Sequence, residues 1–71
     1  MKPPILKKFG SQIRLERLKL GLSQEDLAAK ADVHRTYIGM IERGEKNITL
    51  ISIEKVVKAL NKTLAEIFKN L

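Results

Sequence analysis

Residues 35–43, RTYIGMIER, carry side chains whose types and spacing suit recognition of another molecule. At about 100° per helical residue, Arg35, Thr36, Gly39, Met40 and Arg43 share one face. Ile38 and Ile41 point the opposite way, with Tyr37 and Glu42 at the edges of that apolar sector. The first face is polar, basic and open at its centre, because Gly39 has no side chain. A glycine inside a helix costs about 1 kcal/mol against alanine. Either the sequence tolerates that loss, or the gap lets a partner come close. If such a helix enters a DNA groove, Arg35 is the best candidate to meet a base edge. Its guanidinium fits guanine O6 and N7 with two hydrogen bonds, giving about 1–3 kcal/mol of discrimination. Thr36 can offer a hydroxyl, or its methyl to a thymine methyl. Met40 could touch a base or simply be exposed. Half of the Tyr37 ring belongs to the core, with its hydroxyl in reach of a phosphate.

Two short helices must hold these groups in place. Residues 22–44, LSQEDLAAKADVHRTYIGMIERG, contain both. Ser23 can cap the first, and Glu25 and Asp26 stand in its first turn, where carboxylates suit the helix dipole. Leu27, Ala28 and Ala31 form its inner face. Ala31-Asp32-Val33 permits only a sharp corner, and His34 falls at or beside the next N-cap. Two helices, a three- to four-residue turn and a basic outer face on the second describe a helix-turn-helix over residues 23–43, the motif that docks in the DNA major groove.

Phosphate contacts position such a protein and supply much of its affinity. Gln24 lies at a helix N-terminus, where an anion is attracted. Arg43, Lys46 and Asn47 follow the second helix and could grip the backbone beyond it, although Lys46 reads equally well as a solvated loop lysine. His34 suits a cap or a phosphate neighbour. As a metal ligand it has no partners, so no metal or cofactor is expected.

The stretch resembles the helix-turn-helix of phage-repressor and Cro-like regulators, often called the XRE family. SQEDLA, HRTYIGMIERG and NITLISIEKVVKAL also look like the controller proteins of restriction–modification systems. The similarity runs over residues 9–68. It implies base readers at Arg35 and Thr36 and a phosphate-binding glutamine at Gln24. It also favours an ion pair between Arg17 and Glu42. The residues alone leave a second option, in which the aliphatic stem of Arg17 packs and its head snorkels to water. By the same resemblance, the protein would bind its own promoter region, activate at one site and repress when a second fills. RNA polymerase would then need a surface, and the charged residues just past Gly44 are the candidates.

Composition narrows the alternatives. Fourteen Lys and Arg against eight Asp and Glu give +6, which fits an anionic partner or a solubilising surface. Seventy-one residues make one small domain, 1–71, marginal alone. Without Cys it has no disulfide or thiolate site, which is compatible with a cytoplasmic setting. No apolar run is long enough to span a bilayer, and MKPPILKKFG is too weakly apolar for a signal peptide. No helix joins a Lys/Arg face to a broad aromatic one, so a membrane surface is disfavoured. One His, no Cys, no glycine-rich phosphate loop and no carboxylate pair in an apolar setting argue against an enzyme.

The rest of the chain reads as helix throughout, giving an all-α, compact five-helix fold. Residues 1–5 are expected to be a loose lead-in. The first helix runs from residue 5 or 6 to 20, with Phe9, Ile13, Arg17 and Leu20 on one face and Gly21 ending it. Leu15 and Leu18 lie off that face. Thr49 caps a helix over 50–60 with a stripe of Leu50, Ile53, Val56, Val57 and Leu60, from which Ile51 projects away. Thr63 caps a last helix over 64–71, with Leu64, Ile67, Phe68 and Leu71 on one side. These four and Ile51 are the expected homodimer surface, since helix-turn-helix regulators usually bind palindromic half-sites as two-fold dimers. The alternative is that the last helix only closes the monomer's core. Two rival functions are a protein-interaction module, such as an antitoxin that neutralises a toxin, and a scaffold that has lost DNA binding. Arg35, Thr36, Gln24 and the positive charge oppose the second.

Overall fold

The computed structural model describes residues 3–71. They form five helices: α1 (Pro4–Lys19), α2 (Gln24–Ala31), α3 (Arg35–Glu42), α4 (Leu50–Ala59) and α5 (Leu64–Lys69). Pro4 opens α1, where its missing N–H costs nothing and its fixed φ suits a helix. The helix therefore starts earlier than residues 5–6, taking in part of the expected lead-in. Met1 and Lys2 lie outside the described residues.

Each later helix begins on a side-chain cap. Ser23 and Asp26 form a reciprocal capping box on α2, as Thr63 and Glu66 do on α5. Thr49 accepts from the Ser52 N–H on α4. These caps satisfy backbone donors that have no intrahelical partner. The corner between α2 and α3 turns on Asp32, which takes left-handed geometry at φ 57°, tolerable for a short polar side chain.

Phe9 and Ile13 of α1, Leu27, Ala28 and Ala31 of α2, and Ile38 and Ile41 of α3 meet Val56, Val57, Leu60 and Ile67 in one core. α3 packs on both α1 and α2, α2 also packs on α4, and α5 closes against α1 and α4. Two glycines set how closely α1 can approach. A methyl on Gly10 would fall inside contact distance of the Ile41 carbonyl oxygen and 2.9 Å from that of Glu42. The α1 and α3 backbones therefore touch there. Gly44, at φ 72°, ends the segment after α3, and a side chain there would meet Lys7 Cα at 2.9 Å.

Several expected faces end sooner than their apolar pattern. Leu20 is 47% exposed because it is the C-cap of α1, past the last packed turn. Leu50 is 70% exposed at the first position of α4, ahead of the turns whose Val56 and Val57 enter the core. Leu15 and Leu18 are also exposed. α5 stops at Lys69 rather than residue 71. Ile67, expected on a dimer surface, lies inside the monomer core at 1% exposure and has no surface to offer a second copy. Leu64 and Leu71 are half-buried against the same core, while Phe68 stays exposed, its ring centroid 6.1 Å from that of Phe9.

Candidate nucleic-acid interface

The outer side of α2 and α3 forms a shallow groove lined by Ser23, Gln24, Glu25, Arg35, Thr36, Gly39 and Arg43, with Arg17 at its base. The capping box fixes the α2 end of it. Hydrogen bonds from Ser23, first from its backbone N–H, hold the Asp26 carboxyl below its ordinary pKa. At the other end His34 caps α3: its Nδ1 accepts from the Thr36 N–H at 3.1 Å. That bond sets the direction in which the first turn of α3 leaves the corner. Arg35 and Thr36 then project into solvent, while Ile38 and Ile41 anchor the helix beneath.

A buried polar network locks the two motif helices to α1. Arg17 Nε and Nη2 donate to the two Glu42 carboxylate oxygens at 2.7 and 3.0 Å. Arg17 Nη1 donates to the Leu22 carbonyl at 2.8 Å, and Gln24 Nε2 donates to Glu42 Oε1 at 3.1 Å. The Glu42 hydrogen bond raises the Arg17 pKa further against the opposing effect of burial. Glu42 is thus fully buried rather than at the edge of its face. Gln24 stands at the start of α2 with its amide N–H engaged and its Oε1 directed towards Gly39.

Gly39 is not open to solvent. A methyl there would lie 3.1 Å from Arg43 Nη1 and 3.5 Å from Gln24 Oε1. The cover consists of two polar side-chain ends, not of core. Met40 and Tyr37 are half-buried, and Tyr37 packs on the core. The Lys46 ammonium lies 5.7 Å from the Tyr37 ring centroid, within cation–π range. Lys46 and Asn47 are exposed on the loop after α3. Arg43 Nε pairs with Glu45 at 2.9 Å, which raises the arginine's pKa.

Arg35, Thr36, Gly39, Arg43 and Gln24 therefore share one groove, while His34 lines a neighbouring one with Glu25 and Arg35, and Tyr37 and Met40 lie on α3 with Lys46 and Asn47 on the loop after it. Two participants had no local sequence signal. Gly10 acts through a helix crossing. Glu25 meets Arg35 at 3.2 Å across the corner between helices. Among the described residues, no group of His, Cys, Asp and Glu converges to hold a metal, and no helix is long and apolar enough to cross a membrane.

Comparison with known proteins gives this groove its context. The helix-turn-helix family profile matches residues 13–67. The control protein C.MunI of a Mycoplasma species is 40% identical over 65 residues, spanning 90% of this chain and 88% of that protein. The restriction–modification controller protein C.AhdI from Aeromonas hydrophila superposes with a TM-score of 0.89 at 41% identity, over 93% of this chain and all of that one. The controller protein C.Esp1396I, crystallised as a tetramer with its natural 35 base-pair operator, superposes with a TM-score of 0.90 at 38% identity, over 96% of this chain and 90% of that one. The chain belongs to the helix-turn-helix family of DNA-binding regulators and is similar throughout to the controller proteins of restriction–modification systems.

Proposed function

We propose that this protein is a sequence-specific regulator of transcription that binds double-stranded operator DNA as a homodimer and controls a linked restriction–modification operon. The observation that carries the reading is the groove itself. α3 exposes Arg35 and Thr36 at its N-terminal end, where a recognition helix meets base edges. The operator-bound state of C.Esp1396I supports it. Arg35 reads a guanine and Thr36 an adjacent base, with Met40 further along the helix. Gly39 admits a close approach once Arg43 swings out. Gln24, His34, Tyr37, Arg43, Lys46 and Asn47 hold phosphates on either side. The exposed Ile51, with Leu64, Phe68 and Leu71, supplies the dimer contact. The protein works in the cytoplasm, and the charged residues after Gly44 meet RNA polymerase.

In vitro selection from random duplex DNA at near-physiological salt tests this reading. The expected product is an inverted repeat with half-sites about one helical turn apart. Arg35→Ala should relax preference at one position of each half-site. Folded protein that enriches no sequence would reject specific recognition and turn attention to a protein partner.

A further inference from the structure

α2, α4 and α5 begin on oxygen caps: Ser23, Thr49 and Thr63 each accept a backbone N–H through a hydroxyl. α3 begins on a nitrogen. His34 has extended backbone, and its Nδ1 accepts from the Thr36 N–H at 3.1 Å. A hydroxyl accepts whatever the pH, but an imidazole nitrogen accepts only while it carries no hydrogen. The first turn of α3 has no acidic side chain that would replace it. Glu25 of α2 and Arg35 of α3 are the charged groups that line the shallow groove beside His34, and they pair with each other at 3.2 Å. Asp32 stands two residues before it on the corner.

We infer that His34 is a positioning residue for base recognition, working as the neutral imidazole with its hydrogen on Nε2, and that its protonation exchanges sequence discrimination for general attraction to DNA. The inference rests on the DNA-reading role of α3 proposed above. In the neutral ring, the Thr36 N–H fixes the acceptor at Nδ1 and so leaves the hydrogen on Nε2. The cap then holds the first turn, which carries Arg35 and Thr36. A second proton goes to Nδ1, because Nε2 is already filled. Donor then faces donor at the Thr36 N–H, and the cap is lost. The resulting imidazolium is attracted to any phosphate, while α3 loses the first-turn geometry that a base edge requires. Phosphate contacts do not depend on that geometry, since they carry no sequence information. Random DNA therefore gains from the proton, and the operator loses part of its advantage.

The test uses the full chain with random-sequence and selected duplexes between about pH 7.5 and 5.5, the range in which an imidazole gains its proton. Because the chain has a single histidine, nitrogen NMR of the free protein reads this ring without ambiguity. It should show hydrogen on Nε2 and none on Nδ1 at the upper pH, and a gain at Nδ1 as pH falls. Across that gain the operator-to-random ratio should drop by about fivefold, the scale of one N-cap. Salt dependence on random DNA should steepen by up to about 0.9 in log–log slope, for one more phosphate contact. His34→Asn caps through an amide oxygen that does not titrate, so it should keep the high ratio throughout. His34→Ala has neither cap nor charge and should give the low ratio throughout. Hydrogen on Nδ1 at the upper pH, or a ring that takes no proton in this range, would overturn the proposal. So would a ratio that stays level while the ring titrates, a drop of the same size in His34→Asn, or a high ratio in His34→Ala. Wild-type protein without sequence preference at the upper pH would instead overturn the parent reading, whatever the ring nitrogens show.

Discussion

Both carboxylate oxygens of Glu42 are taken by one guanidinium, that of Arg17, at 2.7 and 3.0 Å, and both side chains are almost wholly buried. The pair joins α1 to the end of α3, and Gln24 brings in α2 through Glu42 Oε1. Every plane of the groove is therefore referenced to one buried carboxylate. Such a pair need not add net stability over an apolar replacement, but breaking one side leaves an uncompensated charge.

Arg17→Met should accordingly destabilise the fold by about 3 kcal/mol. For a domain this small that is a large share of the total, on the order of 0.1 kcal/mol per residue. Combining Arg17→Met with Glu42→Leu should recover most of the loss. Urea unfolding checks both. A single variant as stable as wild type would mean that water reaches Glu42 freely.

Gly39→Ala should separate folding from binding. The added methyl meets only the ends of Arg43 and Gln24, which can move aside. The helix then gains up to about 1 kcal/mol in the free protein, and Tm should rise. Operator affinity should fall if DNA approaches α3 at Gly39, as proposed above, because the methyl would stand in its way. Gly10→Ala should do the reverse of the first effect and lower Tm, since its methyl meets α3 backbone that cannot step aside. Unchanged operator affinity in Gly39→Ala would remove the close-approach role.

The two glycines show what was legible in the sequence and what was not. Gly39 stands out because it interrupts a helical pattern, and a helical wheel places it correctly beside Arg35, Thr36 and Arg43. Its cover by Arg43 and Gln24 depends on how α2 meets α3, which periodicity does not encode. Gly10 looks ordinary on α1, because its reason lies on another helix. The caps at Ser23, His34, Thr49 and Thr63 are local chemistry and can be read directly. Leu20 and Leu50 fit their stripes yet are exposed, since an apolar period says where a face points and not how far its partner extends. Ile67 has the opposite history: a terminal apolar residue is free for a dimer only if α1 and α4 leave it uncovered, and they do not.

Stability should fall in acid partly through the two capping boxes. Asp26 and Glu66 are held below their ordinary values of 3.8 and 4.5, chiefly by the backbone N–H of Ser23 and of Thr63. A folded-state pKa below the unfolded one means that the unfolded chain binds more protons in that window. The contribution is present in full above the unfolded values and disappears as pH falls through the folded ones. Asp26→Asn with Glu66→Gln should lower stability at pH 7 and flatten its decline below about pH 5. Parallel wild-type and variant curves of urea midpoint against pH would show that other carboxylates set the acid limb.

Ile51 is 71% exposed and Leu50 beside it 70%, at the start of α4 and close to the half-buried Leu64. Among the described residues, little covers these side chains, so a charge at position 51 would meet water and not core. Ile51→Asp should leave the unfolding transition of dilute monomer nearly unchanged, since exposed substitutions usually stay within about 0.5 kcal/mol. If the patch is the two-fold contact, each dimer would bury two such carboxylates face to face, and sedimentation should show monomer at concentrations where wild type is dimeric. Operator binding should then weaken and become steeply dependent on protein concentration, because two monomers must assemble on the DNA. Binding to a single half-site should be spared, since Ile51 lies on α4, outside the groove that holds Arg35. A variant that stays dimeric and binds the operator as tightly as wild type would place the interface on another surface.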